Sequence, residues 1–260
     1  MPSVRRAAVV THGKPEAIGD AVRRFEQSAR EAGVEVVDDG DAELVVVLGG
    51  DGTMLRALKH CLTNGVPVLG VNFGRVGFLT ALGSADLEEG LARAFAGDYV
   101  VVELPTLEVE VGGERHVAVN DLVATSGTLG RMVELGWTVG GEDLGSLACD
   151  GVIASTPSGS TAYNLSNGGP VLVWGLDAMV VTFIAPHSLH ARPLVVPRSS
   201  GLVVENRTTD VPVTVLVDGH EVSRRGAGER VGVRLGNARS RLATLPDSTF
   251  FTRYRDTFAS

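Results

Sequence analysis

The stretch Leu44-Val45-Val46-Val47-Leu48-Gly49-Gly50-Asp51-Gly52-Thr53 decides how this chain folds. Its first five residues form an uninterrupted apolar run, which is typical of a strand buried on both faces of a sheet. After the glycines, Met54, Leu58 and Leu62 recur at the spacing of one face of an amphipathic helix. The sequence therefore predicts a strand, a glycine-rich loop and a helix, with Asp51 at the carboxyl end of the strand.

This loop is a candidate ligand site, because ligands of open α/β sheets bind beyond the carboxyl ends of the strands. Glycines allow the backbone to turn sharply and to approach a ligand closely, and the free N–H groups at a helix start suit phosphate oxygens. Asp51 then has two interpretations. It could hold a metal ion or accept a proton from an attacking hydroxyl, or it could simply be a turn residue that caps the helix.

Composition and charge limit the classes of protein to which the chain can belong. The 260 residues include 44% hydrophobic and 21% charged side chains, which is ordinary for a globular protein with a real core. The net charge of −8 argues against general binding to nucleic acid or to anionic membranes. Two cysteines cannot form a disulfide framework or a four-thiolate metal site. The start of the chain lacks the apolar core of a signal peptide, and no apolar run has membrane-spanning length, so we expect a cytoplasmic protein with no membrane partner.

The order of predicted elements divides the chain into three parts. In residues 1–98, strands alternate with helices, as the strand at 7–11 and the helix at 16–31 illustrate, and this order predicts a Rossmann-like α/β domain with a mostly parallel sheet. Residues 99–244 consist of short segments rich in Val and Thr, separated by turn residues, and they predict an antiparallel β-sandwich domain in which Gly112-Gly113 and Gly140-Gly141 form hairpin turns. Residues 245–260 are too aromatic for a free tail, so we expect them to pack back on the first domain.

Two further stretches carry polar groups that suit a ligand. Residues 150–170 are crowded with hydroxyl side chains between Gly and Pro, and Tyr163 offers a flat face for a ring. A capped turn before a short helix would explain only part of this run. Asn120-Asp121 follows a predicted strand at 115–119, where an amide and a carboxylate could bind a ribose diol, although an Asx turn is the commoner meaning of such a pair.

Taken in order, these segments resemble the NAD kinase family. The resemblance covers most of the chain and rests on residues 49–53, 70–79, Asn120-Asp121, 150–170, 192–197 and 217–220. The hydroxyl-rich stretch is the specific part, because the Gly-Gly-Asp-Gly loop also occurs in lipid kinases and phosphofructokinases. The family implies a Rossmann-like domain, a β-sandwich domain and an active site between them.

The resemblance also implies an activity. Members of the family transfer a phosphoryl group to the 2′-hydroxyl of the adenosine ribose of NAD and so form NADP. They use ATP, sometimes polyphosphate, together with a divalent metal ion, for which Mg²⁺ is the expected species here, and they usually form homodimers or homotetramers. One subunit then completes the site of its neighbour.

The resemblance also implies roles for individual residues, at the positions where this sequence matches the motifs of the family. Asp51 matches the proposed general base, and Gly49, Gly50, Gly52 and Thr53 match the loop that binds donor phosphates. The residues that match NAD-contacting positions are Asp51, Gly52, Arg56, Asn120, Asp121, Arg131, Asp150, Thr161, Ala162, Tyr163, Ser166 and His220. The resemblance assigns no metal ligands.

Two positions depart from the family pattern. Asn120-Asp121 stands where Asn-Glu is usual, so the carboxylate is one methylene shorter, and His220 replaces a Gln or another polar residue. These departures leave open a second hypothesis, a catalytically weak NAD(H)-binding regulator. A third hypothesis is a lipid kinase of the diacylglycerol kinase type. That type would not explain Thr161-Ala162-Tyr163.

Overall fold

A computed structural model of the chain describes residues 1–11, 15–73, 77–80 and 82–259, and for residues 15–18 it describes the backbone alone. Within these residues the chain forms five α-helices and seventeen strands. The helices are α1 (Pro15–Ala32), α2 (Asp51–His60), α3 (Leu87–Phe95), α4 (Tyr163–Ser166) and α5 (Phe250–Phe258). The strands are β1 (Arg6–Thr11), β2 (Glu35–Val36), β3 (Leu44–Leu48), β4 (Val68–Asn72), β5 (Leu82–Gly83), β6 (Val100–Val111), β7 (Glu114–Ala118), β8 (Asp121–Ser126), β9 (Val133–Val139), β10 (Glu142–Cys149), β11 (Gly151–Ser155), β12 (Ala178–Ile184), β13 (Leu194–Pro197), β14 (Leu202–Asn206), β15 (Val213–Val217), β16 (His220–Arg225) and β17 (Arg230–Thr244).

The chain divides into two compact units. The first contains Met1–Glu103 together with Arg239–Ser260, and the second contains Leu104–Ala238. The sequence predicted boundaries at 98/99 and 244/245, whereas the structure has them at 103/104 and 238/239. The difference arises because β6 and β17 are long strands that belong to both units, so no turn marks either boundary.

The first unit is the predicted α/β domain. Its strands run parallel in the order β2-β1-β3-β4, and the last residues of β17 join β4, also in parallel, through the pair Leu242 and Val68. All five residues of β3 are buried, which explains its continuous apolar sequence, and all five residues of β4 are buried as well. Phe25 of α1 meets Phe95 of α3 edge to face, with ring centroids 6.2 Å apart.

The C-terminal segment returns to this unit, as predicted. The ring of Phe250 in α5 packs edge to face on Phe78, with centroids 5.3 Å apart. Thr249 caps the helix through its hydroxyl, which accepts a hydrogen bond from the N–H of Thr252 at 3.2 Å. Phe250 is therefore buried in the first unit, whereas Phe251, Tyr254 and Phe258 of the same helix are exposed.

The second unit is a two-layer β-sandwich, also as predicted. One layer has the order β13-β12-β11-β8-β15-β16, with every neighbouring pair antiparallel. The other layer contains β10, β9, β14 and the first residues of β17 in antiparallel pairs, and β6 pairs with β7. Buried side chains from both layers, including Leu122, Leu135 and Val204, share one hydrophobic cluster.

Two glycine pairs make the hairpin turns that the sequence predicts. Gly112 and Gly113 join β6 to β7 with φ values of 62° and 84°, and Gly140 and Gly141 join β9 to β10 with 60° and 90°. Positive φ at both central residues matches the twist of the flanking strands, and glycine adopts it without steric cost. Within the described residues, no helix combines the length and the apolar character needed to cross a membrane.

Candidate active site

Asp51 is the first residue of α2 and directly follows the loop that leaves the buried strand β3. Its carboxylate accepts two backbone hydrogen bonds, from the N–H of Phe78 to Oδ2 at 2.8 Å and from the N–H of Leu79 to Oδ1 at 3.1 Å. The side chain does not cap its own helix, because Gly50 occupies the cap position and no side-chain cap bond forms there. Asp51 is thus held by a distant segment, in a partly exposed position at the carboxyl edge of the sheet.

Two glycines leave room for this arrangement. A Cβ on Gly77 would overlap the carboxylate of Asp51, and a Cβ on Gly49 would come within 2.9 Å of the Thr53 hydroxyl. Gly50 and Gly52 are exposed, with open space where a Cβ would lie. The backbone around Gly50 and Gly52 is therefore accessible to a ligand, as expected for a phosphate-binding loop.

Arg56 lies one turn further along α2 and is exposed. With Thr53 it lines a cavity of about 360 Å³ that also reaches Thr11, Asp39 and His60. Thr53 itself is buried. The structure therefore places Arg56 beside Thr53 in this cavity, whereas Asp51 and the loop glycines are not among the described residues that line it. The loop that follows Asn72 belongs to the same resemblance, but its residues 74–76 lie outside the described part of the chain.

The Asn120-Asp121 pair begins β8 in the second unit, and an unexpected residue holds it in place. The carboxylate of Asp218 accepts hydrogen bonds from the N–H groups of Val119 at 3.1 Å, Asn120 at 2.8 Å and Asp121 at 3.4 Å. Asp218 has a φ of 49° in the Asp218-Gly219 turn that joins β15 to β16. An Asp-Gly turn between two strand patterns is a signal for a hairpin, but the three acceptor bonds depend on the tertiary structure.

Asn120 carries a buried side-chain oxygen, Oδ1, that has no hydrogen-bond donor within the described residues. A buried acceptor without a partner costs free energy, on the order of 1–3 kcal/mol. The oxygen is therefore available to a donor on a ligand, such as a ribose hydroxyl. Its neighbour Asp121 is also buried, and its backbone N–H is the group that Asp218 binds.

Burial, and to a smaller extent the negative charge of Asp218, raise the pKa of Asp121 from 3.8 to about 7. Desolvation disfavours the charged carboxylate, and a second carboxylate nearby disfavours it further. In the unliganded chain Asp121 therefore changes its charge near neutral pH.

Most hydroxyl side chains of residues 150–170 bind backbone groups of the chain itself, whereas the sequence suggested that they contact a ligand. Thr156 and Ser158 donate to the carbonyl oxygen of Val119, at 2.7 and 3.0 Å, and Ser160 donates to that of Pro157 at 2.7 Å. All three side chains are buried. They fold the stretch onto the segment before β8, so they position Asn120-Asp121 rather than bind a ligand themselves.

Residues 161–166, which the sequence predicts to contact the ligand, include one buried residue that stabilises the fold and several that are partly or fully exposed. Asn164 is buried, donates to the carbonyl oxygens of Ser160 at 2.9 Å and Pro170 at 3.1 Å, and accepts from Thr182, so it stabilises the fold. Thr161 and Ala162 are partly exposed, and Ser166 is exposed. The ring of Tyr163 is 46% exposed and is free to stack on a planar group.

His220 lies at the same end of the second unit as Asn120-Asp121, because it follows the Asp218-Gly219 turn. It is exposed, and its Nδ1 lies 3.0 Å from the carbonyl oxygen of Asp218. Asn120, Asp121 and His220 lie toward one end of this sheet, since Ser155 pairs with Asp121 and Val217 pairs with Leu122, and the exposed residues of 161–166 follow Ser155 from the same end. We call these residues the polar group of the second unit.

Arg131 and Asp150 are not part of this group. Asp150 precedes β11, and Gly151 pairs with Thr125 at the opposite end of the β8–β11 pair from Asp121. The four steps of strand between Gly151 and Ser155 separate the two ends by roughly 13 Å. Arg131 belongs to the loop after β8, at the same end as Asp150, and it forms an exposed ion pair with Asp210 at 2.7 Å. Within one chain the structure does not bring these two residues to Asn120-Asp121.

No group of three or more His, Cys, Asp or Glu side chains with metal-binding arrangement occurs among the described residues. Asp51 is the one carboxylate in the glycine-rich loop. A single carboxylate fits Mg²⁺ that arrives with nucleotide phosphates, because Mg²⁺ keeps several waters and needs only one or two protein ligands.

Comparisons with known proteins agree with this geometry. The model of the ATP-NAD kinase N-terminal domain matches residues 7–99, and that of the ATP-NAD kinase C-terminal domain matches residues 119–245. The chain belongs to the NAD kinase family. It is 41% identical over 219 residues to an NAD kinase of Heliobacterium modesticaldum, with 82% of this chain and 77% of the relative covered. It is 37% identical over 274 residues to an NAD kinase of Bifidobacterium longum subsp. infantis, with 96% and 80% covered.

A solved structure extends the comparison. The fold superposes on the crystal structure of an NAD kinase from Archaeoglobus fulgidus in complex with ATP, with a TM-score of 0.80, 26% identity and coverage of 98% of this chain and 97% of that chain. The family assignment makes this chain an NAD⁺ kinase, a phosphotransferase. The relatives named here are all NAD kinases, so none supports the lipid-kinase or regulator hypotheses.

Proposed function

We propose that this NAD kinase transfers the γ-phosphoryl group of ATP to the 2′-hydroxyl of the adenosine ribose of NAD, with Asp51 as the general base. The observation that carries the proposal is the Asp51 carboxylate, fixed by two backbone N–H groups at the start of α2. A carboxylate offers about four acceptor positions. Two therefore remain for a ribose hydroxyl after Phe78 and Leu79 have bound.

The proposed reaction follows from these groups. Asp51 accepts the proton of the 2′-hydroxyl, the ribose oxygen bonds to the γ-phosphorus, and the bond from that phosphorus to the bridging oxygen breaks to release ADP. Phosphoryl transfer depends on positioning and on electrostatic stabilisation more than on covalent participation by the protein. The exposed backbone at Gly50 and Gly52 is suited to donor phosphates, and Arg56, exposed on the same helix, stays a predicted contact to NAD. When bound, Mg²⁺ on those phosphates would neutralise part of their charge, with Asp51 as the available protein carboxylate.

We assign the contacts to NAD to the polar group of the second unit. In this proposal the Oδ1 of Asn120 and the carboxyl group of Asp121 bind a ribose diol, and the unpartnered Oδ1 supports that role. Tyr163 supplies a stacking surface, and Thr161, Ala162, Ser166 and His220 are the further predicted contacts to NAD. A cytoplasmic location, and ATP rather than polyphosphate as the physiological donor, remain predictions.

The reaction is tested by incubating the protein with NAD, ATP and Mg²⁺ and measuring NADP by mass spectrometry and with an NADP-specific dehydrogenase. A dinucleotide in which hydrogen replaces the 2′-hydroxyl should bind with similar affinity and give no phosphorylated product. Polyphosphate in place of ATP tests the alternative donor. Absence of NADP with both donors and several divalent metals would overturn the proposal.

Asp121 gives a pH-dependent prediction. Above pH 7, where Asp121 is ionised, we expect Asp121→Asn to weaken NAD binding by roughly 1.5–3 kcal/mol, the range for a hydrogen bond to a charged group. Near pH 5.5 the wild-type carboxyl group is protonated, since its pKa is raised to about 7, so the difference in affinity should become small. Isothermal titration calorimetry at several pH values measures both quantities. Asp121→Glu keeps the charge and should retain the pH dependence, whereas equal affinities of wild type and the Asn variant at pH 8 would assign Asp121 to a structural turn.

The titration of Asp121 also makes the stability of the folded chain depend on pH, in a direction that follows from its raised pKa. The pKa of Asp121 is higher in the folded chain than its ordinary value of 3.8. The stabilisation from the protonated carboxyl group is therefore fully present below pH 3.8 and is lost as the pH rises through about 7. Urea unfolding of the unliganded protein should therefore show Asp121→Asn gaining stability relative to wild type between pH 5 and pH 8. A pH-independent difference would mean that Asp121 does not titrate in this range.

We also propose that the active species is a homo-oligomer in which Asp150 of one subunit acts at the site of another. The proposal rests on the position of Asp150, at the far end of the strand pair from Asn120-Asp121 in its own chain. Mixing inactive Asp51→Asn chains with Asp150→Ala chains should restore activity, since a mixed dimer contains one site with both native residues. Light scattering that shows a single 27.2 kDa chain under conditions of full activity would contradict the proposal.

A further inference from the structure

Arg253 of α5 is an unusual buried charge, because its side chain is only 7% exposed. Arginine is almost never fully buried unless it is paired. Here its Nη1 donates to two carbonyl oxygens, those of Phe78 and Thr80, both at 2.8 Å. Its Nη2 donates to the hydroxyl of Thr244 at 2.7 Å. The planar guanidinium offers its donors in a fixed fork, which allows one side chain to hold two backbone carbonyls at once.

The segment that Arg253 holds is the one that binds Asp51. Phe78 and Leu79 donate their N–H groups to the Asp51 carboxylate, and the carbonyl groups of Phe78 and Thr80 accept from Arg253. The ring of Phe78 also packs against Phe250 and Phe258 of the same helix, with centroids 5.3 and 6.1 Å away. A chain of contacts thus runs from α5 through residues 78–80 to the proposed base.

The charge of Arg253 persists at neutral pH. Burial lowers the pKa of its guanidinium to about 10, and the negative charge of Asp51 acts in the opposite direction. The guanidinium therefore keeps its hydrogen bonds to the two carbonyl oxygens over the working range of the enzyme.

We propose that Arg253 is a positioning residue for phosphoryl transfer, which holds residues 78–80 so that their amides fix the Asp51 carboxylate at the reacting hydroxyl. This inference rests on the proposed role of Asp51. Arg253 touches neither substrate nor reacting atoms in this scheme, and its effect on the reaction passes through the backbone of Phe78 and Leu79.

The test compares two substitutions of Arg253. Arg253→Met removes the charge and every donor, and we expect kcat to fall by about 10²-fold, since a displacement of about 1 Å in a reacting group can cost that much. Arg253→Lys keeps the charge, but its ammonium group cannot reproduce the planar donor geometry of the guanidinium, so we expect kcat to fall about tenfold. The KM for NAD should change little in both, because the residues assigned to NAD binding in the second unit are untouched. If Arg253→Met fails to fold, the Lys variant decides, and a kcat of Arg253→Lys equal to that of wild type would overturn the inference.

A double-mutant cycle with Asp51→Asn separates positioning from general damage. If Arg253 acts through Asp51, Arg253→Lys should lower kcat in the wild-type background and have almost no further effect in the Asp51→Asn background. Equal fold-changes in both backgrounds would overturn the inference while leaving the role of Asp51 intact. Conversely, if Asp51→Asn itself keeps the wild-type kcat, the proposed base is wrong and the cycle identifies that failure separately.

Two matched variants control for stability and for surface charge. Thr244→Val removes a hydroxyl that accepts from Arg253 and donates to the carbonyl oxygen of Ser248, and it leaves the bonds of Arg253 to Phe78 and Thr80. The melting temperature should therefore fall while kcat at 25 °C stays near wild type. Arg255→Met removes an exposed arginine of the same helix that pairs with Asp256, and it should change neither quantity appreciably. A kcat loss in Thr244→Val as large as that in Arg253→Lys would show that helix stability, and not the two carbonyl bonds, controls the rate.

Discussion

Asp51→Asn should lower kcat for NAD phosphorylation by on the order of 10²-fold or more, because an amide cannot accept the proton of the ribose hydroxyl. The affinity for NAD should be largely kept, since the groups that we assign to ribose and ring binding belong to the second unit. Steady-state kinetics and calorimetry on the same preparation measure the two effects. A variant with near-normal kcat would remove Asp51 from the role of base.

The substitution has a second consequence that the measurement must separate. Both carboxylate oxygens of Asp51 accept backbone N–H groups, but asparagine has only one acceptor oxygen, so its NH₂ group faces an N–H donor. We therefore expect Asp51→Asn to lose one hydrogen bond to the segment 77–80 and to lower the melting temperature slightly. Asp41→Asn, an exposed carboxylate substitution in the same unit, is the matched control and should leave kcat and melting temperature unchanged.

Gly77→Ala should reduce kcat by about as much, roughly 10²-fold, although it removes no chemical group. A Cβ at position 77 would overlap the Asp51 carboxylate, so the carboxylate, the loop or both must move. Because the proposed base would then lie away from the ribose hydroxyl, the loss should appear in kcat more than in the KM for NAD. Steady-state kinetics with NAD and ATP varied separately measure how much of the loss lies in kcat and how much in KM.

A control for the glycine substitution lies a few residues away. At Gly83 an added Cβ would meet its nearest neighbour, Oδ2 of Asp86, at 3.4 Å, which is an ordinary contact, and the backbone there is extended. Gly83→Ala should therefore keep both kcat and stability. If Gly77→Ala also keeps the wild-type kcat, the position of the Asp51 carboxylate in the free protein does not set the rate.

The sequence by itself determined the architecture and the main chemical groups. A continuous apolar run predicted the buried parallel strand β3, and glycine pairs predicted two hairpins, because these signals depend on residues that are neighbours in the chain. The order of motifs along the chain was sufficient to indicate the NAD kinase family, and the comparisons confirm that assignment. The roles of the individual site residues, Asp51 among them, remain predictions.

Only the tertiary structure decided how those groups are held. Nothing local in the sequence indicates that Asp218 binds three amides before and within β8, that Thr156 and Ser158 fold inward, or that Arg253 holds the segment which fixes Asp51. These contacts join residues separated by 27 to 175 positions, and a hydroxyl, carboxylate or guanidinium has the same local sequence pattern whether it binds a ligand or a backbone amide. Burial and the direction of each hydrogen bond distinguish the two cases, and both arise only when distant segments pack together.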